Sequence, residues 1–145
     1  MKIKTFRGML KDPEQQRIKL STNNGLTGYK IRKLQLFSIQ PGVLDEEHIV
    51  QVFTVPHNDT SFYDNVDFND PTLLAAAYYK DVDQNYNPGF INVIIDSSKF
   101  NQDIYITHAD VASANKVNYY LELEQVKLDI NEATVATLKD MRGRE

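Results

Sequence analysis

Residues 117–128 alternate apolar and polar positions over a long run. Val117, Tyr119, Leu121 and Leu123 fall on one face of an extended chain, and Asn118, Glu122 and Glu124 on the other. This predicts a long strand with one face on a core and one face wet. The apolar phase changes at Gln125, after which Val126 and Leu128 are the apolar positions, so a bulge is expected there. Residues 29–39 show a similar break. Tyr29 and Ile31 share one parity and Leu34 and Leu36 the other, which predicts a bulge near Arg32-Lys33 or a strand covered on both sides.

Other strands are expected at residues 16–20, 48–55, 90–95 and 102–107, with a short one at 66–68. Ile49, Val50, Val52, Phe53 and Val55 leave little room for a polar face, which marks residues 48–55 as a central strand. Turn chemistry punctuates these segments at Asp12-Pro13, Asn23-Asn24-Gly25 and Pro41-Gly42. Residues 72–79, rich in Leu and Ala behind Asp70-Pro71, favour a helix, with a strand under a close-packed neighbour as the alternative. A terminal helix follows Asp129, which forms a capping-box pattern with Glu132. Its expected apolar stripe is Ile130, Ala133, Leu138 and Met141, and Gly143 is the expected stop.

Seven or eight strands without regular helix alternation predict an all-β antiparallel sandwich, jelly-roll-like, with a short C-terminal α-helix. An immunoglobulin-like sandwich fits the strand count nearly as well. The 145 residues read as one domain, with residues 1–15 as a candidate extended N-terminal arm. A chain of this length buries roughly 70% of its unfolded surface, so it needs no covalent staple. It has no cysteine, which excludes disulfides and thiolate chemistry. No apolar run reaches the roughly 20 residues of a membrane helix, and nothing apolar follows the basic first residues as in a signal peptide, so cytoplasmic synthesis is expected. The net charge of −4 argues against a general nucleic-acid footprint.

Charge is unevenly distributed. The first 33 residues hold nine Lys or Arg against Asp12 and Glu14, and the remainder is acidic. This asymmetry fits ordinary solvated strand faces, or else an acidic protein partner or the acidic part of a second copy. Candidate interface residues are Arg7, Arg17, Lys19, Arg32, Lys33, Tyr78 and Tyr79, the tyrosines because an amphipathic ring suits a half-wet contact. Asp81, Asp83 and Asn85 place oxygen ligands at alternate positions, as a calcium loop begins. Tyr86 then stands where the loop needs Gly, and Asn92 where it needs Glu, which favours an ordinary turn. Asp59, Asp64, Asp67 and Asp70 offer carboxylates that a cation would need, although a polar loop gives the same spacing by chance and is favoured, and Asn58-Asp59-Thr60 is a lone glycosylation sequon. His48, His57 and His108 match no metal-ligand spacing and are expected at the surface or at strand edges. No catalytic, metal or cofactor residue is assigned.

Six segments taken in order carry a family resemblance: 14–22 (Glu14-Gln15-Gln16-Arg17-Ile18-Lys19-Leu20-Ser21-Thr22), 25–31, 72–78, 100–108, 118–124 and 133–143. Together they resemble small virion-associated structural proteins of marine tailed bacteriophages of the cyanophage type. The resemblance implies a non-enzymatic virion component, made in the host cytoplasm and incorporated in the particle. Its partners would be capsid or other virion proteins and further copies of itself, with no cofactor, nucleic acid or membrane. A head decoration or cement role is the leading expectation. A neck, tail or fibre adaptor is the alternative, and a small carbohydrate- or calcium-binding sandwich stands outside the resemblance.

Overall fold

The computed structural model describes residues 1–22, 25–81 and 90–143. Among the described residues, eight strands and one terminal helix follow one another. The strands are β1 (Lys2–Leu10), β2 (Glu14–Ile18), β3 (Thr27–Ser38), β4 (Glu46–Phe53), β5 (Leu73–Asp81), β6 (Phe90–Ile95), β7 (Ile104–Asp110) and β8 (Val117–Lys127), and the helix is α1 (Ile130–Gly143). A three-stranded sheet has the order β1-β8-β3, and a five-stranded sheet the order β2-β7-β4-β5-β6. Every ladder is antiparallel.

The pairing has a simple logic. β1 pairs with β8, β2 with β7 and β4 with β5, while β3 and β6 touch across the remaining side. The chain is thus one long hairpin folded about its middle, then rolled so that β8 also pairs with β3 and β7 with β4. That is the jelly-roll arrangement expected from the sequence. Between the sheets lies a continuous core of Leu10, Ile18, Tyr29, Ile31, Leu34, Leu36, Val50, Val52, Ile104, Ile106, Val117, Leu121 and Leu123, among others.

Several local expectations hold. β4 is the middle strand of the larger sheet and is buried on both faces. Its outer face is covered by the long connection to β5. Gln51, on that face, donates through Nε2 to the carbonyls of Phe62, Tyr63 and Asn65. The bulge in β3 falls where the parity breaks: the register against β8 shifts between Ile31 and Lys33. Asp129 and Glu132 form the capping box, with Glu132 N–H donating to Asp129 Oδ1 at 2.7 Å.

Other expectations are corrected. Residues 73–81 are strand β5, not a helix. β4 and β6 flank them on both sides, and these ladders outweigh the helix propensity of Leu and Ala. Residues 66–68 form no strand; Asp67 and Asp70 cap tight turns by accepting from Asn69 N–H and Thr72 N–H. β8 keeps an unbroken register past Gln125. Residues 2–10 are not an arm but a sheet strand, β1, paired with β8 along its whole length. The helix stripe is also displaced. Ala133 and Asp140 are buried, whereas Ile130, Leu138 and Met141 are largely exposed. α1 rests on its small side chains, fastened by Asn101 Nδ2, which donates to Ala133 O and Thr137 Oγ1.

Candidate functional site

Inward positions of β4 and β7 bring three ionisable side chains together at one end of the sandwich. Glu46 and His48 share the parity of Val50 and Val52, and His108 that of Ile104 and Ile106, so all three point between the sheets. All are fully buried. His48 Nε2 lies 2.6 Å from Glu46 Oε1, His48 Nδ1 lies 2.8 Å from His108 Nε2, and His108 Nδ1 lies 2.7 Å from the Lys11 carbonyl oxygen. His48 and His108, expected at the surface or at strand edges, are therefore core residues, because their sequence positions alternate in step with the core positions of their strands, whereas His57 lies half-buried in the connection after β4.

The Lys11 carbonyl can only accept, so the network assigns the proton of neutral His108 to Nδ1. His108 Nε2 then accepts from His48 Nδ1–H. One further proton must lie between His48 Nε2 and Glu46, on whichever partner holds it. Burial holds His108 below the usual imidazole range, and the charge of nearby His48 acts the same way, against the opposing effects of the Lys11 contact, Asp12 and Asp110. Tyr79 stacks on His48 with centroids 5.9 Å apart. Burial raises the Tyr79 hydroxyl, with Glu46 and Asp81 adding to it.

This chain is sealed from solvent and arranged in line. The two nitrogens of His48 serve different neighbours, so the three groups do not converge on a common point as metal ligands must. Among the described residues no group of three His, Asp or Glu is placed to hold a metal. What the arrangement can do is lock three segments together: β4, β7 and the β1–β2 turn. Asp110 reinforces the lock. Its burial raises its pKa, but backbone N–H groups of Ala112, Asn115 and Glu47 lower it further, and the net direction is down.

A second polar hub closes the opposite end of the β2–β7 ladder. Asp103 Oδ1 accepts from Leu20 N–H at 2.7 Å and Ser21 N–H at 2.9 Å, while Oδ2 takes a forked contact from Arg17. Burial alone would raise its pKa; these donors prevail and hold it at about 2. Nearby, a cavity of about 370 Å³ lies under α1, with Leu74, Phe100 and Ala136 among its walls. Asn101, at its side, donates through Nδ2, and its buried Oδ1 has no hydrogen-bond partner among the described residues.

The sequence-predicted interface residues scatter. Arg7, Arg32 and Lys33 lie on the smaller sheet; Arg32 faces Glu122 at 3.8 Å, and the parallel pair Lys30–Glu124 is also at 3.8 Å. Arg17 is on the far edge strand β2, with Lys19 exposed just beyond it. Tyr78 donates to Glu47 on the outer side of the larger sheet. That bond, with burial and the Glu47 charge, pushes its pKa up to about 12. Tyr79 points inward. Asp81 ends β5 opposite Glu46, while Asp83 and Asn85 lie outside the described residues.

Two outer surfaces remain. On the smaller sheet the register sets Arg7 beside Tyr120 and Gln35, and Met9 beside Asn118 and Phe37. Phe37 is 67% exposed and Met9 is also exposed. A shallow groove joins Arg7, Phe37 and Tyr120 to Ile91 of β6. On the opposite side of the sandwich, the connection over β4 exposes Phe62, Val66 and Phe68, the last by 70%. Sequence reasoning flagged Arg7 and the aspartates of this loop, but it missed the exposed aromatics, since a lone Phe in a strand or loop reads as core. Comparison with family models, curated proteins and solved structures finds no match for the chain.

Proposed function

We propose that this chain is a non-enzymatic structural component of a phage particle, acting as a head decoration or cement protein on the capsid lattice. The observation that carries the reading is where the chemistry sits. Among the described residues, the Glu46–His48–His108 cluster is fully buried and used to join segments, whereas the outer surfaces carry Arg, Met, Phe and Tyr side chains of the kind enriched at protein interfaces. The resemblance of six sequence segments to virion-associated proteins supports the same reading.

Quantitative mass spectrometry of purified virions encoded by the same genome tests it. Hundreds of copies per particle are expected for a decoration protein, and about six to twelve for a ring at the neck or tail. Absence of the chain from washed particles overturns the reading.

A further inference from the structure

We infer that the chain associates with further copies of itself head to tail, the Arg7 groove of one copy receiving the acidic aromatic loop of the next. The inference rests on the reading of an assembly component and names the partner as a second copy. The groove lies on the outer face of β1-β8-β3. Among the described residues Arg7 has no hydrogen-bond or ion-pair partner, unlike Lys30 and Arg32, which face Glu124 and Glu122. Half-buried Tyr120 stands beside it, with Gln35 beyond, and exposed Met9 and Phe37 lie in the next row of the sheet. An unpaired guanidinium in a groove that mixes aromatic and apolar side chains with the amides of Gln35 and Asn118 suits a carboxylate presented beside aromatic rings.

The same molecule presents that chemistry on its other side. Residues 54–72 contain Asp59, Asp64, Asp67 and Asp70 and no Lys or Arg. The loop is not loose. Gln51 holds three of its carbonyls, Tyr63 is buried with its hydroxyl donating to His57 O at 2.6 Å, and the His57 ring sits 4.0 Å from the Phe53 ring. Anchored in this way, it holds Phe62, Val66 and Phe68 outward at little further ordering cost. Asp64 is exposed and has no partner among the described residues. Charge and apolar character are therefore complementary between groove and loop.

Groove and loop lie on opposite layers of the sandwich. One copy cannot bring its own two surfaces together, and two copies related by a twofold axis would set groove on groove. The complementary contact is heterologous, which builds a ring if the rotation closes and a filament if it does not. Each contact leaves one groove and one loop free for the next.

Two variants of the full chain and their mixture test this. One is Arg7→Glu with Phe37→Ser, which alters the groove. The other is Asp64→Lys with Phe68→Ser, which alters the loop. All four positions are exposed, and circular dichroism should show an unchanged fold. Light scattering and native mass spectrometry should find oligomers of the unaltered chain at roughly 100 μM, between the millimolar and micromolar steps of the affinity scale, and salt should weaken them. Each variant alone should be monomeric. The mixture should form a one-to-one pair and stop, because only one intact groove and one intact loop remain. A monomeric unaltered chain overturns the inference, as does a variant that still self-associates, or a mixture that stays monomeric. Presence of the chain in virions is measured separately, so a monomer found in particles sinks the head-to-tail contact and leaves the assembly reading standing.

Discussion

His48 and His108, sixty residues apart in sequence, are joined Nδ1 to Nε2 at 2.8 Å with both rings out of solvent. The Lys11 carbonyl fixes the direction of this bond and so fixes what Glu46 must meet: a bare His48 Nε2 and one shared proton. Glu46→Gln supplies an N–H donor to that nitrogen without needing the proton, and is expected to cost less than about 1.5 kcal/mol. Glu46→Ala leaves the ring nitrogen buried and unmatched, and His48→Ala leaves Glu46 buried without its partner. The latter is expected to cost about 3–5 kcal/mol. Urea titration of the three variants checks the order. A Glu46→Gln chain as unstable as Glu46→Ala would remove the assigned proton pattern.

Acid should act in two stages. His108 has its pKa lowered in the fold, mainly by burial. The unfolded chain therefore binds a proton at this residue from about pH 6.5 downward, where the folded chain does not. Stability from this group is present above about pH 6.5 and is lost as the pH falls below it, at up to about 1.4 kcal/mol per unit for one proton. Asp103, at about 2, and Asp110, also lowered, act later. Their contribution is present above an ordinary carboxylate pKa near 4 and is lost as the pH falls through the folded values. His108→Asn keeps a donor for Lys11 O and should flatten only the first stage in a melting series from pH 8 to 3. A first stage that survives this substitution assigns it elsewhere.

Asp103 ties the end of β2 to the start of β7. Its downward pKa shift corresponds to about 2 kcal/mol of stability at neutral pH. The exposed Arg17 contributes little of this; the buried Leu20 N–H that Asp103 satisfies contributes more. Asp103→Ala should therefore lower stability by about 2 kcal/mol, while Arg17→Ala should lower it by less than about 1 kcal/mol. Chemical denaturation of both variants at pH 7 decides this. Equal losses would move the weight to the ion pair.

The sandwich was legible in the sequence because most of its strands alternate with a period of two, and the apolar residues on both faces of β4 announced its central place. The helix misread at residues 73–81 arose from local propensity. Ala75 and Ala77 form the core beneath a neighbouring layer, a circumstance no local window contains. The imidazole pair was half legible. The parity of Glu46 and His48 with Val50 and Val52 pointed inward, as did that of His108 with Ile106, but the pairing needs the β4–β7 register, which is a long-range fact. The exposed Phe37 and Phe68 left no local signal, since apolar residues at the surface obey no period.

The β3 bulge yields a prediction specific enough to fail. Ile31 faces inward opposite Leu123, Arg32 is the extra residue, Lys33 stands opposite Glu122 and Leu34 faces inward opposite Leu121. Deleting Arg32 leaves Ile31, Lys33 and Leu34 in ordinary in-out-in alternation, with every other pairing to β8 unchanged. Deleting Gln35 instead sends either the residues before it or those after it to the wrong face, exposing Ile31 and Leu34 or else Leu36. The Arg32 deletion should fold and melt only a few degrees lower, the loss reflecting local twist that the bulge supplies. The Gln35 deletion should not fold, with no cooperative melting transition by circular dichroism. If both deletions melt alike, Arg32 is not the inserted residue and the register of β3 against β8 is different from that described.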